Sequence, residues 1–166
     1  MISEVVNMED AANSPLRGRK GLKFLIIRFS SIGDIVLTTP VVRCVKQQVP
    51  DAEVHYLTKF SFHKVIASNP YVDQFHYLNN DWDLLLHQLK EEKFDYIIDL
   101  HKNLRSLRIR LALGVPYLSY NKLSVEKFLL TKLHVNNMAD RHISLRSVDA
   151  LAPLGVVYDG KGLDYF

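Results

Sequence analysis

The chain has 166 residues, of which 48% are hydrophobic, and its formal net charge is +3. This length and apolar content suit one domain with a buried core. No apolar run approaches the roughly 20 residues that span a bilayer, and residues 1–20 lack the apolar stretch of a signal peptide. The single cysteine, Cys44, forms no internal disulfide, so we expect a soluble protein of the reducing cytoplasm.

The first predicted elements surround a loop rich in polar residues. Residues 1–22 mix charged residues with Asn, Ser, Pro and Gly, and we interpret them as a disordered tail. The apolar segment 23–29 is typical of a strand buried on both faces of a parallel sheet. A helix is expected over residues 33–48. Pro40 predicts either a kink there or a second helical start, capped by a preceding threonine, with the proline in its first turn.

Strands and helices continue to alternate after Pro50. The segments EVHYLT, VDQFHYL, DYIIDL and VPYLSY predict strands, and FSFHKVIASN, DWDLLLHQLKEEK and residues 104–113 predict helices. Leucines at helical spacing line one face of the last of these helices (Leu104, Leu107 and Leu111). Amphipathic segments follow at residues 124–133 and 141–151. This alternation predicts an α/β fold: a Rossmann-like, doubly wound parallel sheet.

Two polar clusters follow strands that we expect to lie side by side at the centre of the sheet. In open α/β sheets, ligands bind beyond the carboxyl ends of the strands, where the strand order reverses. The two clusters are therefore expected to meet there (Ser30, Ser31, Gly33 and Asp34; Asp99, His101, Lys102, Asn103 and Arg105). At a helix start, Asp34 is stabilised as a carboxylate and can take a proton from a hydroxyl, or it can simply cap the helix. The residues alone leave both roles open.

Several classes of site are excluded by their missing motifs. The first loop contains neither G-x-G-x-x-G nor G-x-x-x-x-G-K-[ST], which argues against a bound dinucleotide or triphosphate. The seven histidines show no H-E-x-x-H pattern, and one cysteine cannot build a cysteine-rich zinc site, so no metal is expected. No G-x-S-x-G nucleophile elbow is present.

Positive charge is concentrated in residues 101–146, where nine Lys or Arg and two acids give a net charge of +7. Such an excess favours an anionic partner. Arg105 and Arg108 share a helix face and suit bidentate capture of carboxylate or phosphate, or equally salt bridges on an exposed surface. No recognised motif supports nucleic-acid binding, and the aromatic residues fit a core rather than a base-stacking platform.

Four segments together resemble the amino-terminal half of the lipopolysaccharide heptosyltransferases, glycosyltransferase family 9. They are KFLIIRFSSIGDIVLTTPVVRCVKQ, NPYVDQFHYL, FDYIIDLHKNLRS and DRHISLRSVDALAPLGV. The S-S-x-G-D turn is the most specific part of a resemblance that covers residues 23–166. It implies the acceptor-binding domain of a two-domain, inverting GT-B enzyme. The other domain holds ADP-heptose, so the matched residues alone are expected to transfer no sugar.

The resemblance also implies roles for individual residues. Asp34 falls on the acid that is the family's proposed general base, and no cofactor is implied besides the donor. The implied acceptor-binding residues are Arg28, Ser30, Ser31, Gly33, His101, Lys102, Arg105, His142 and Arg146. The implied acceptor is a lipopolysaccharide core or lipid A precursor, which would place the protein peripherally at the cytoplasmic side of the inner membrane. An alternative remains open: a non-catalytic Rossmann-like module that binds an anionic glycolipid or another polyanion.

Overall fold

A computed structural model describes residues 19–120, Leu145 and residues 147–165. The strands in this part of the chain are β1 (Lys23–Ile27), β2 (Glu53–Lys59), β3 (Gln74–Leu78), β4 (Tyr96–Asp99) and β5 (Tyr117–Leu118). The α-helices are α1 (Ile32–Val36), α2 (Thr39–Gln48), α3 (His63–Ile66), α4 (Trp82–Glu91) and α5 (Leu104–Leu113). Short 3₁₀ helices cover Phe60–Phe62 and Ala152–Leu154. None of these helices is long and apolar enough to cross a membrane.

All five strands pair in parallel in one sheet with the order β3-β2-β1-β4-β5. The order reverses beside β1, between β1 and β4, which is the switch point of a doubly wound sheet. Ile27, the last residue of β1, is level with Leu57 on one side and with Asp99 on the other. The predicted Rossmann-like fold is confirmed, and so is the central position of β1 beside β4.

The core lies on both faces of the sheet, as the apolar first strand predicted. Phe24 and Ile26 of β1 point into a cluster on the α2 side. Leu25 and Ile27 point into a second cluster, which includes residues of α4 and α5. All four side chains are fully buried. The central strand therefore contributes to both apolar layers, which fixes the loop that follows it.

The helix expected over residues 33–48 is two helices. α1 ends at Val36, and α2 begins at Thr39 with Pro40 in its first turn, where no intrahelical N–H bond is lost. At the junction, the Thr38 hydroxyl donates to the carbonyl of Ile35 at 2.6 Å and lies 2.7 Å from the Tyr56 hydroxyl. Of the two alternatives, the second helical start with Pro40 in its first turn is correct, but the Thr38 side chain makes no cap hydrogen bond to α2.

α5 has the predicted bounds, but the leucine stripe is not its packed face. Leu104 and Leu111 are 84% and 74% exposed, whereas Ser106 and Ile109 are fully buried. At the helix start, the Ser106 hydroxyl oxygen accepts the N–H of Asn103 at 3.0 Å, and the N–H of Ser106 donates to Asn103 Oδ1 at 2.9 Å. The packed face of α5 is therefore the one that carries Ser106 and Ile109, and Leu104 and Leu111 face outward.

The last described segment lies along α2 without forming a strand. Arg43 of α2 is buried, and its guanidinium pairs with Asp159 at 2.7 Å and with Asp164. It also donates to the carbonyl of Gly162 at 2.9 Å. These contacts attach the segment to the domain through one buried cation.

Three sequence predictions fall wholly or partly outside the described residues. Most of the predicted tail, residues 1–18, is among them, as is the amphipathic segment 124–133. Of the segment 141–151, residues 147–149 are helical, and Val148 and Leu151 join the core on the α2 side.

Candidate active site

The loop after β1 holds Asp34 in a fixed position at the carboxyl edge of the sheet. Asp34 Oδ1 lies 2.8 Å from Nη2 of Arg28. Ser31 donates to Oδ2 twice, from its backbone N–H at 3.0 Å and from its hydroxyl at 2.8 Å. Arg28 is held in turn, because its Nε donates to the carbonyl of Ser30 at 2.9 Å and its Nη1 to that of Leu100. The carboxylate is oriented, yet its side chain remains 40% exposed.

These contacts set the charge of Asp34. Partial burial would raise its pKa, but the hydrogen bonds from Ser31 and the Arg28 guanidinium outweigh burial and hold the pKa below its ordinary value. Asp34 is therefore a carboxylate at neutral pH. Its bond from the Ser31 N–H also caps α1, so the structural role that the sequence left open is present as well. An oriented, partly exposed carboxylate can in addition accept a proton from a bound hydroxyl.

Gly33 contributes space to this loop. Gly33 lies within α1 and has no positive φ. A Cβ at this position would meet no atom within 4 Å. The glycine therefore leaves an open surface beside Asp34, and its backbone freedom is not used. The neighbouring peptide bond between Ser30 and Ser31 is cis.

The loop after β4 lies next to the loop after β1, as the topology predicted. Asp99 Oδ1 accepts the N–H of His101 at 3.0 Å, which forms a turn at the end of the strand. The His101 ring packs edge-on against Phe29, with centroids 4.8 Å apart. Burial and the Arg28 charge lower the pKa of His101. The crevice therefore combines an ionised carboxylate with a neutral imidazole.

Lys102 is not directed into this crevice. Its ammonium donates to the carbonyl of Tyr120 at 2.8 Å and lies 5.6 Å from the centroid of the Tyr120 ring. The predicted anion contact is thus engaged with the protein's own backbone. Two further predicted contacts, His142 and Arg146, lie outside the described residues.

A cavity of about 330 Å³ opens at the same edge of the sheet, between the ends of β2 and β3 and the first turns of α4 and α5. Arg105 lines it, together with Lys59, Phe60, Ser61, Leu78, Asn79, Asn80 and Trp82. Arg108 stacks its guanidinium 4.9 Å from the centroid of the Trp82 ring. Cations, amides and an aromatic ring are suited to a ligand that carries hydroxyls and acidic groups.

Sequence reasoning missed the β2 and β3 side of this cavity. Lys59 is the last residue of β2, and Asn79 and Asn80 directly follow β3. The rule that selected the loops after β1 and β4 would have found them, because all parallel strands end at the same edge. Trp82, the first residue of α4, is half-buried against the core on this side of the sheet, and Arg108 stacks on its ring.

No protein-family model and no curated protein sequence match this chain. Solved structures do match it. A glycosyl transferase of family 9 from Veillonella parvula is 20% identical with a TM-score of 0.65, covering 89% of this chain and 46% of that one. The E. coli heptosyltransferase WaaC with ADP is 17% identical with a TM-score of 0.65, covering 87% and 50%. The E. coli ADP-heptose lipopolysaccharide heptosyltransferase II is 19% identical with a TM-score of 0.59, covering 84% and 41%.

The chain thus spans about half the length of the solved structures that it matches. At these identities, the likeness establishes a shared fold. The predicted resemblance to family 9 and to the heptosyltransferases is confirmed at that level, over most of this chain. The roles of individual residues rest on the geometry described above.

Proposed function

We propose that this chain is the acceptor-binding half of an inverting GT-B glycosyltransferase that moves heptose from ADP-heptose to the lipopolysaccharide inner core. The observation that carries the proposal is the Asp34 carboxylate, which Arg28 and Ser31 fix while it stays 40% exposed. A cavity lined by Arg105 and Lys59 lies at the same sheet edge. The fold shared with two heptosyltransferases supports the choice of donor and acceptor.

In the proposed reaction, an acceptor hydroxyl attacks the anomeric carbon of the heptose on the face opposite the diphosphate. The new carbon–oxygen bond forms as the bond to the β-phosphate oxygen breaks, so the anomeric centre inverts and ADP leaves with the electron pair. The hydroxyl proton passes to Asp34. Because the pKa of Asp34 is held low, the base is already ionised and takes the proton as the hydroxyl becomes acidic in the transition state.

The residues around Asp34 would bind and orient the acceptor. Arg105 and Lys59 would pair with its carboxylates or phosphates, and the Trp82 ring would support the apolar face of a sugar. The neutral His101 would contact a sugar hydroxyl. A second domain would hold the donor against this edge, because transfer requires donor and acceptor to be held together. The acceptor would be reached at the cytoplasmic surface of the inner membrane.

The test is the substitution Asp34→Asn in the protein that contains both the acceptor and the donor halves. Loss of the general base should lower kcat by about 10²–10⁴-fold. The dissociation constant for the acceptor should stay within a few-fold of the wild-type value, since Asn keeps the shape of the side chain. Asp51→Asn, in the exposed turn between α2 and β2, is the matched control and should leave turnover unchanged. Near-normal turnover by the Asp34 variant would refute the assignment of the base.

A second candidate function is a non-catalytic module that captures an anionic glycolipid or another polyanion. The cavity favours this candidate. The cations and the aromatic ring that line the cavity all belong to this chain, so they can bind such a ligand without a second domain. Tight binding of the acceptor, combined with no transfer from any sugar nucleotide when a donor half is supplied, would support this candidate over the enzyme.

A further inference from the structure

A second polar cluster lies toward the amino-terminal end of the sheet, away from Asp34. His55 on β2 and His76 on β3 are 0% and 7% exposed, and His55 Nδ1 lies 2.9 Å from His76 Nε2. Glu92, directly after α4, brings its Oε2 to 3.9 Å from His55 Nδ1. One donor atom from each of these three residues lies within 4.8 Å of the others. Two imidazoles and one carboxylate therefore converge on one point.

A fourth side chain fixes the orientation of the buried histidine. Glu53 Oε1 lies 2.7 Å from His55 Nε2. A carboxylate at this nitrogen favours a proton on Nε2 and leaves the lone pair on Nδ1, which faces His76. Histidines that bind metal ions characteristically make this contact through the nitrogen that does not bind the metal. Glu53 thus prepares His55 Nδ1 to act as a ligand.

The second histidine meets the first through its Nε2. Because Glu53 keeps the His55 proton on Nε2, the hydrogen between the two rings lies on His76 Nε2, and metal binding would move it to His76 Nδ1. The present spacing of 2.9 Å is that of a shared hydrogen. A tetrahedral ion between the two nitrogens would separate them to about 3.3 Å, which needs only a small movement.

The cluster has an approach from outside. A cavity of about 570 Å³ lies between β3 and α4, and His76 and Glu92 are part of its wall. This cavity gives an ion a route to the two histidines. It also leaves room for a water molecule as a further ligand, and three protein ligands with one open position are a common arrangement around zinc.

We propose that His55 Nδ1, His76 Nε2 and Glu92 Oε2 bind one divalent transition-metal ion, of which zinc fits the donor set best. Two nitrogens and one carboxylate oxygen favour zinc over magnesium or calcium, which prefer all-oxygen sites. The ion would join β2, edge strand β3 and the end of α4. The spacing of histidines along the sequence gives no sign of this site, because its two histidines come from neighbouring strands and are 21 residues apart.

Lys23 competes with a metal ion for Glu92. Its removal therefore distinguishes a metal site from a cluster of ion pairs. Its ammonium lies 3.0 Å from Glu92 Oε2 and 3.1 Å from Glu53 Oε1. A metal ion must take Glu92 from Lys23, which can remain on Glu53. Removal of the ammonium should therefore strengthen metal binding, whereas it would weaken a cluster held together only by ion pairs.

The experiment titrates ZnCl₂ into the metal-free 166-residue chain at pH 7 and follows the heat of binding and the Tm. We expect one ion per chain and a rise in Tm with zinc concentration. His76→Gln and Glu92→Gln should each weaken the affinity at least tenfold, and Lys23→Gln should tighten it several-fold. His63→Gln, in α3 and packed against Phe75, removes a histidine elsewhere and should bind zinc like the wild type.

Cobalt provides a second measurement on the unsubstituted protein. One equivalent of Co²⁺ should give the intense visible absorption of a four-coordinate site, and Zn²⁺ should abolish it. If His76→Gln does not fold, the Glu92→Gln variant and the cobalt spectrum of the wild type still test the proposal. Glu92→Gln is expected to fold, because Glu92 lies after the end of its helix. Absence of saturable 1:1 zinc binding by the wild type would overturn the proposal. Wild-type affinity in the Glu92→Gln variant would also overturn it.

Discussion

At the scale of single residues, Asp34 is governed by two neighbours that act on different oxygens. Ser31 donates twice to Oδ2, and Arg28 pairs with Oδ1. We predict that Ser31→Ala raises the pKa of Asp34, because it removes the hydroxyl bond to the ionised form. The measurement is an NMR titration of the Asp34 carboxyl carbon between pH 2 and 7 in wild type and variant.

The direction in which the stability of the fold changes with pH follows from the same contacts. Because the folded pKa of Asp34 lies below its ordinary value of 3.8, the contacts stabilise the fold above that value, and their contribution is lost as the pH falls through the folded pKa. Ser31→Ala should reduce this acid sensitivity. Ser30→Ala is the control, since Ser30 receives the Arg28 bond through its backbone carbonyl. Equal pKa values for Asp34 in both variants would contradict the prediction.

A second residue-scale prediction separates folding from binding at Gly33. Gly33→Ala should raise the free energy of unfolding by up to about 1 kcal/mol, because alanine is favoured within a helix and a Cβ there meets no atom within 4 Å. The same methyl group would occupy the open surface beside Asp34 and should weaken acceptor binding. Urea unfolding and acceptor titration measure the two effects. Unchanged acceptor affinity would place the bound acceptor away from Gly33.

At the scale of elements, α5 shows what periodicity predicts and what it cannot. The helix over residues 104–113 was predicted and is confirmed. Its leucines were expected to line the packed face, but burial followed Ser106 and Ile109 instead. A pattern of apolar residues marks one face of a helix, and it does not count a polar residue such as Ser106 that is buried while paired with Asn103 at the helix start.

Arg43 is the element-scale contact with the largest expected effect on stability. Its guanidinium is 2% exposed and pairs with Asp159 and Asp164, which are 13% and 22% exposed. Arg43→Leu should lower the free energy of unfolding by about 3–5 kcal/mol, because it leaves two shielded carboxylates without their cation. Urea denaturation measures the change.

The matched control is Lys46→Gln on the same helix. Lys46 pairs with Asp73, and their side chains are 29% and 37% exposed, so the loss should not exceed about 1 kcal/mol. If the Arg43 and Lys46 variants lose equal stability, the contacts of Arg43 do not attach residues 156–165 to α2 in solution.

At the scale of the whole molecule, strand order explains why half of the candidate site was predictable. The loops after β1 and β4 were paired from topology alone, and the structure brings them together through the bond from Arg28 to the carbonyl of Leu100. Lys59 and Arg105 line one cavity, although Lys59 ends β2 and Arg105 lies in the helix that follows β4. The direction of the Lys102 side chain was not predictable, because its ammonium donates to the carbonyl of Tyr120, 18 residues further along the chain.

The whole chain should bind an anionic acceptor through the cavity rather than through its net charge. We predict that the 166-residue chain binds a lipid-linked core sugar bearing carboxylates and phosphates, with an affinity that falls as salt is added. Arg105→Gln should weaken binding about tenfold or more, because it removes a charged hydrogen bond. Titrations at two salt concentrations measure both effects, and a parallel assay should detect no release of ADP from ADP-heptose by this chain.

Lys90→Gln removes the same charge from the last turn of α4, at the end of that helix opposite Trp82. Its effect on affinity should stay within about twofold, because an exposed charge more than a Debye length from the ligand is largely screened. Equal losses in the Arg105 and Lys90 variants would mean that diffuse attraction, and not the cavity, holds the acceptor. A loss confined to Arg105 would locate the acceptor in the cavity, at the same edge of the sheet as Asp34.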